Sequence, residues 1–171
     1  PFAEAVPPAP PAAEDLIAEG TLLLRAGDPQ GAYRHFIRAI NTGERRAQAL
    51  TGAGLALEAQ GMLTRAREYL ERARDLAPGA AVTHNNLGVV LYRLGEYREA
   101  RRAFRTAFAV SSGQNGVARA NLELAEREIA ARRVPEATPV TLRVQRLGSS
   151  EYRLLGPAPA PGDDAPLPAA P

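Results

Sequence analysis

Cysteine is absent from all 171 residues. No disulfide framework, thiolate nucleophile or cysteine metal site is therefore available, and the chain suits a reducing or an oxidising compartment equally. Lysine is absent as well. All 21 basic residues are arginine, and 19 acidic residues leave a net charge of only +2. So near a balance does not by itself supply the field that draws nucleic acid. There are two histidines, His35 and His84, too few for a histidine-built metal centre. No run of 18 apolar residues occurs to span a membrane. No glycine-rich phosphate loop, HExxH or GxSxG is found. These absences argue against a catalytic site, a metal, a cofactor or a small-molecule substrate.

What is abundant is alanine, leucine and arginine, a mixture that favours helices. The chain also overlays itself. Shifted by 34 residues, it aligns without a gap over three segments, 13–46, 47–80 and 81–114. Gly20, Gly54 and Gly88 share one register, and Gly27, Gly61 and Gly95 another. Ala32, Ala66 and Ala100 form a third, and Ala39, Ala73 and Ala107 a fourth.

Each repeated residue has a mechanical reason. Gly20, Gly54 and Gly88 fall in mid-helix, where glycine costs about 1 kcal/mol against alanine. Paying that cost three times implies a close backbone approach by a partner helix. Gly27, Gly61 and Gly95 close the first helix of each segment, because a left-handed residue after a helix is cheapest as glycine. The alanines let the second helix press on the first. Asp28 and Pro29 read as an N-cap followed by proline at the first helical position, and Pro78 stops the second helix of segment two.

This pattern resembles the tetratricopeptide-repeat family. Segment three, with "NNLGVVLYRLGEYREARRAF", carries nearly every family position. Segment two departs at Ala53, where the family prefers leucine. Segment one departs more, with Glu19 in that leucine position and Glu44 where proline is common. The resemblance covers residues 13–114 and implies an all-α solenoid of three helix-turn-helix repeats. Residues 115–133 continue the helical period, with Ala118, Leu122, Ala125 and Ile129 on one face and charge on the other. They read as the solvating cap helix that a repeat stack requires, so the repeat domain spans 13–133.

Proline and alanine dominate residues 1–12, an extended linker, and residues 156–171 form a similar tail expected to be disordered. Between cap and tail, Val140, Leu142 and Val144 alternate, as do Tyr152 and Leu154, around "GSS". That reads as a β-hairpin over 138–155. Two strands alone are marginal in water, so the hairpin needs something to dock on.

The polar residues have plain roles. His84 stands where the resemblance implies a large half-buried side chain and reads as packing, as does His35 beside Phe36. Asn86 recurs in the family as a structural residue, and Asn85 points to the groove. Arg98, Arg101, Arg102 and Arg105 follow helical spacing and make one stripe. Glu96 and Glu99 dilute it, and no aromatics interleave as a nucleic-acid platform would need.

The resemblance implies that first helices line a concave groove for a protein partner. Carried onto this chain, the partner-binding positions are Ile17, Thr21, Leu24 and Arg25 in repeat one, then Thr51, Leu55 and Glu58 in repeat two. Repeat three supplies Asn85, Val89, Tyr92 and Arg93, and the cap helix Arg119 and Glu123. Some relatives clamp a C-terminal carboxylate with basic and asparagine side chains. Ile17, Thr21 and Thr51 occupy several of those places here, so the groove reads as apolar with a polar rim. The expectation is a non-catalytic scaffold that binds a peptide or helix segment and no nucleic acid. The proline-rich start suggests an accessory subunit of a bacterial envelope or membrane complex, similar to pilus and secretion lipoproteins, periplasmic or membrane-associated. The alternative is a cytoplasmic adaptor or co-chaperone that captures partner tails.

Overall fold

The computed structural model describes residues 11–132 in full and the backbone of residues 142–146 and 152–157. The linker expected at 1–12 lies outside the described residues except for its last two positions. The proline-rich tail beyond residue 157 and the turn expected between the strands lie outside them too.

Seven helices run in order through the first unit: α1 (Ala13–Arg25), α2 (Pro29–Thr42), α3 (Arg46–Ala59), α4 (Leu63–Leu76), α5 (Ala81–Arg93), α6 (Tyr97–Val110) and α7 (Gly116–Ala131). Helices α1 to α6 form three antiparallel pairs, one in each 34-residue segment. The turn inside each pair is the same device three times. Gly27, Gly61 and Gly95 adopt φ of +81°, +75° and +81°. Each donates its N–H to a carbonyl of the last helical turn, while the next residue reaches back to Leu23, Leu57 or Leu91 at 2.9 Å. These paired bonds satisfy carbonyls that the helix end would leave open. Asp28 then caps α2, its carboxylate accepting from the Gly31 N–H at 2.8 Å, with Pro29 at the first helical position.

The repeated small residues meet across the pairs. Ala32, Ala66, Ala100, Ala39, Ala73 and Ala107 have no exposed surface at all. Gly20 and Gly88 seat the rings of Phe36 and Phe104, and Gly54 seats Leu70. A methyl built on Gly88 would lie 2.5 Å from the Phe104 ring. The close approach is therefore chiefly by a side chain of the second helix, rather than by its backbone as the sequence suggested. Phe36, Leu70 and Phe104 are themselves 34 residues apart, and their burial contributes about 1.5–3 kcal/mol each.

The departures in repeat one have physical causes. Among the described residues no helix precedes α1; Glu19 is more than half exposed there, and His35 meets it at 3.2 Å. Glu44 replaces proline because Gly43, at φ +83°, already ends α2. His84 is buried and its Nε2 holds the Pro78 carbonyl at 2.8 Å, pinning the turn into α5.

Two hydrophobic clusters, one around Phe36 and one around Phe104, share Tyr33 and Tyr69 at their boundary. The two hydroxyls lie 2.9 Å apart, and Arg65 donates to Tyr33 at 3.1 Å. Burial, followed by the bond to Tyr69, pushes the Tyr33 phenol above its ordinary pKa. Helices α4 and α6 are tied by Arg67, which donates to Glu71 at 2.8 Å and to both oxygens of Glu96 at 3.0 Å. Those carboxylates hold the guanidinium even more firmly charged than usual.

First helices touch first helices: α1 meets α3, α3 meets α5 and α5 meets α7. Second helices do not approach one another in this way. A stack whose first helices crowd and whose second helices splay must curve toward the first, which puts α1, α3, α5 and α7 on the concave face.

The second unit is described by its backbone alone. Leu142–Arg146 (β1) runs antiparallel to Tyr152–Pro157 (β2), pairing Val144 with Leu154 and Arg146 with Tyr152.

Candidate binding groove

The concave face is set by which side of each first helix is left uncovered. In α3, Ala49 and Ala56 are fully buried against the preceding pair, and Thr83 and Val90 hold the same places in α5. One residue earlier, Gln48, Leu55, Val82 and Val89 look into the groove.

Helix α7 breaks the 34-residue step. Its buried residues are Ala118 and Ala125, 35 positions after Thr83 and Val90. One extra residue turns a helix by about 100°. The groove therefore receives Val117 and Leu124, which are 63% and 40% exposed. Asn115 fixes the start of the helix by capping the Ala118 N–H at 3.0 Å. The same turn carries Arg119 and Glu123, expected in the groove, away from the face that Val117 and Leu124 occupy, and both are exposed. They pair with each other at 3.2 Å.

At the centre lies a hollow of about 470 Å³ between α1, α3 and the start of α5. It brings together Ile17, Thr21, Thr51 and Leu55 of the expected set and adds Gln48 and Val82, which sequence reasoning missed. Val82 is 63% exposed, and its position 34 residues after Gln48 was the signal for both. Ile17 and Thr51 are nearly covered and serve as wall. The Thr51 hydroxyl donates to the Ala47 carbonyl at 3.0 Å or shares its proton with Thr83 at 2.9 Å. Thr21 donates to the Ile17 carbonyl at 2.8 Å.

The other expected residues are placed less freely. Leu24 and Val89 are half-buried against the core. Tyr92 meets Tyr97 edge to face at 5.0 Å between ring centres. Asn85 accepts from the Asn121 amide at 3.0 Å, so α7 already engages its oxygen. Arg93 and Glu58 form an ion pair across α3 and α5, and Arg93 also donates to the Glu58 carbonyl at 3.2 Å. Arg25 is exposed beside a second hollow that it shares with Ile17, Thr21 and Gln48.

On the outer side, the stripe predicted on α6 is partly spent. Arg102 meets Glu99 at 3.4 Å and Arg105 meets Glu126 at 3.8 Å. The Nε of Arg101 is buried without a hydrogen-bond partner among the described residues. Among those residues no cluster of His, Cys, Asp or Glu has the geometry to hold a metal ion, and no helix is long and apolar enough to cross a membrane.

Two family models described as tetratricopeptide repeat match this chain, one over residues 45–113 and one over residues 85–151. The chain belongs to the tetratricopeptide-repeat family. Repeat one, which neither model reaches, has the same helix pair and the same glycine seat as the others. No curated protein matches in sequence. Among solved structures, the Sgt2 tetratricopeptide-repeat domain of Aspergillus fumigatus superimposes with a TM-score of 0.68 at 21% identity, covering 81% of this chain and 91% of that one. The first such domain of Spaghetti (RPAP3), bound to the HSP90 peptide SRMEEVD, gives 0.65 at 15% identity over 69% of this chain and 93% of that one. The second such domain of human RPAP3, in complex with the HSP70 peptide SGPTIEEVD, gives 0.62 at 19% identity over 67% and 94%. At these identities the likeness is one of fold. The repeat family is one of protein-interaction scaffolds.

Proposed function

We propose that this chain is a non-catalytic adaptor that captures a segment of a partner protein on its concave face. The observation that carries this is the uncovered apolar surface of the first helices, centred on the hollow of about 470 Å³. Leu55, Val82, Val117 and Leu124 leave apolar area in water that the fold had room to bury, and such surface marks interaction sites. A groove between helices suits an extended or helical segment. The two structural relatives holding chaperone peptides support an adaptor that captures partner segments. The envelope or pilus role, with its periplasmic or membrane-associated location, has only the proline-rich first residues behind it. Three repeats and a cap give a shallow groove, so affinity for a lone peptide is modest, and the strand pair of the second unit is proposed as a further contact for the assembled partner.

The test is selection of binding segments from a displayed peptide library, run in parallel on the native chain and on Leu55→Glu. Segments that bind the native chain and lose at least tenfold on the variant support the groove. Segments that bind both equally contradict it.

A further inference from the structure

None of the twelve residues lining the central hollow carries a charge. Arg25 stands in the adjoining hollow rather than in this one, and two other ionic groups nearby are already paired. Glu14 is paired with Arg45 and Glu58 with Arg93. The hydroxyls of Thr21 and Thr51 are engaged, and the oxygen of Asn85 is held by Asn121. A carboxylate laid here would lose its water against Ile17, Leu55 and Val82 and meet no cation in the lining, which is a large cost. An apolar side chain would lose nothing and would cover surface now in water.

The size agrees with that occupant, since sites that enclose a small organic molecule run to about 300–1,000 Å³. Apolar surface also continues past the hollow. The register slip of α7 brings Val117 and Leu124 onto the same face as Leu55 and Val82. An apolar strip that crosses three helices matches a segment with several apolar residues, not a chain end.

Resting on the reading of the groove as the binding face, we propose that it selects an uncharged, apolar segment from the interior of a partner chain. It makes no use of a free C-terminal carboxylate and discriminates against acidic tails. Its specificity is set by what the hollow lacks as much as by what lines it.

The experiment uses a labelled, N-acetylated twelve-residue probe with leucines at helical spacing among serines and glutamines. It is made as the C-terminal amide, as the free acid, and as a free acid ending in EEVD. Fluorescence polarisation on the whole chain is read at 50 and 500 mM salt. The amide and the plain acid should bind within twofold of one another, with less than twofold change with salt. The EEVD form should bind at least tenfold more weakly. Leu55→Glu, and the surface variant Val82→Asp that leaves the core intact, should each weaken the amide at least tenfold. If either acid form binds tenfold more tightly than the amide while both variants still abolish binding, the groove stands and the proposed selectivity is overturned. If no form binds below millimolar concentration, or if both variants bind as well as the native chain, the groove reading and this proposal fall together.

Discussion

Replacing Gly88 by alanine sets two opposed effects against each other. In an open helix the change stabilises by about 1 kcal/mol, because glycine holds more conformational freedom in the unfolded chain. Here the new methyl would lie 2.5, 2.6 and 3.0 Å from three carbons of the Phe104 ring. That ring is only 2% exposed, so it has nowhere to swing, and overfilling of this kind costs about 1–3 kcal/mol. The clash wins, and Gly88→Ala should destabilise by about 1 kcal/mol net, a fall in melting temperature of about 4 °C. The sign should reverse once the ring is gone. Phe104→Ala alone should cost about 3–5 kcal/mol, and Gly88→Ala added to it should return up to about 1 kcal/mol. Urea unfolding followed by circular dichroism measures all four corners of this cycle, provided the slope stays constant. Gly116→Ala is the control, since nothing lies within 4 Å of its added methyl, and it should be neutral or mildly stabilising. A Gly88→Ala that stabilises the native and the Phe104→Ala backgrounds alike would refute the seated-ring account.

Ala100→Leu should cost about 1–3 kcal/mol by overpacking a fully buried site, read as a lower urea midpoint. Gly61→Ala, forced to φ of +75°, should lose about 1–2 kcal/mol in the same assay, with Gly61→Asn losing less. Alkaline pH should weaken the fold through Tyr33. Its folded pKa is raised, so its contribution is complete below the ordinary phenol value of about 10 and is lost as pH rises through the raised one. The melting temperature should therefore fall more steeply above that value in the native chain than in Tyr33→Phe.

Most of the fold was legible because its cause is periodic. The glycine and alanine registers are local signals repeated in step, the Asp28 cap and the stop at Pro78 are single local signals, and the three helix pairs follow that step. The groove was legible only where the same step held. Ile17, Thr21, Thr51 and Leu55 do meet at the hollow, whereas Arg119 and Glu123 were misplaced, because one extra residue before α7 rotates that helix. Asn115, as an N-cap, was the available sign of the slip. The pairing of Arg93 with Glu58, and of Asn85 with Asn121, was not legible at all. Those contacts join residues 35 and 36 apart, and they depend on how neighbouring helices lean rather than on any one helix's pattern. Gln48 and Val82 were missed although they share one register, 34 residues apart.

The central claim is that the inward face of the first helices is where a partner sits. Backbone amide chemical shifts of the isotope-labelled chain, recorded during titration with a segment selected from the peptide library, test it residue by residue. The account predicts that the largest changes fall on α1, α3, α5 and α7 around Leu55, Val82 and Leu124, with α2, α4 and α6 nearly still. Changes concentrated on the arginine-rich outer helices, with the inward face silent, would contradict it.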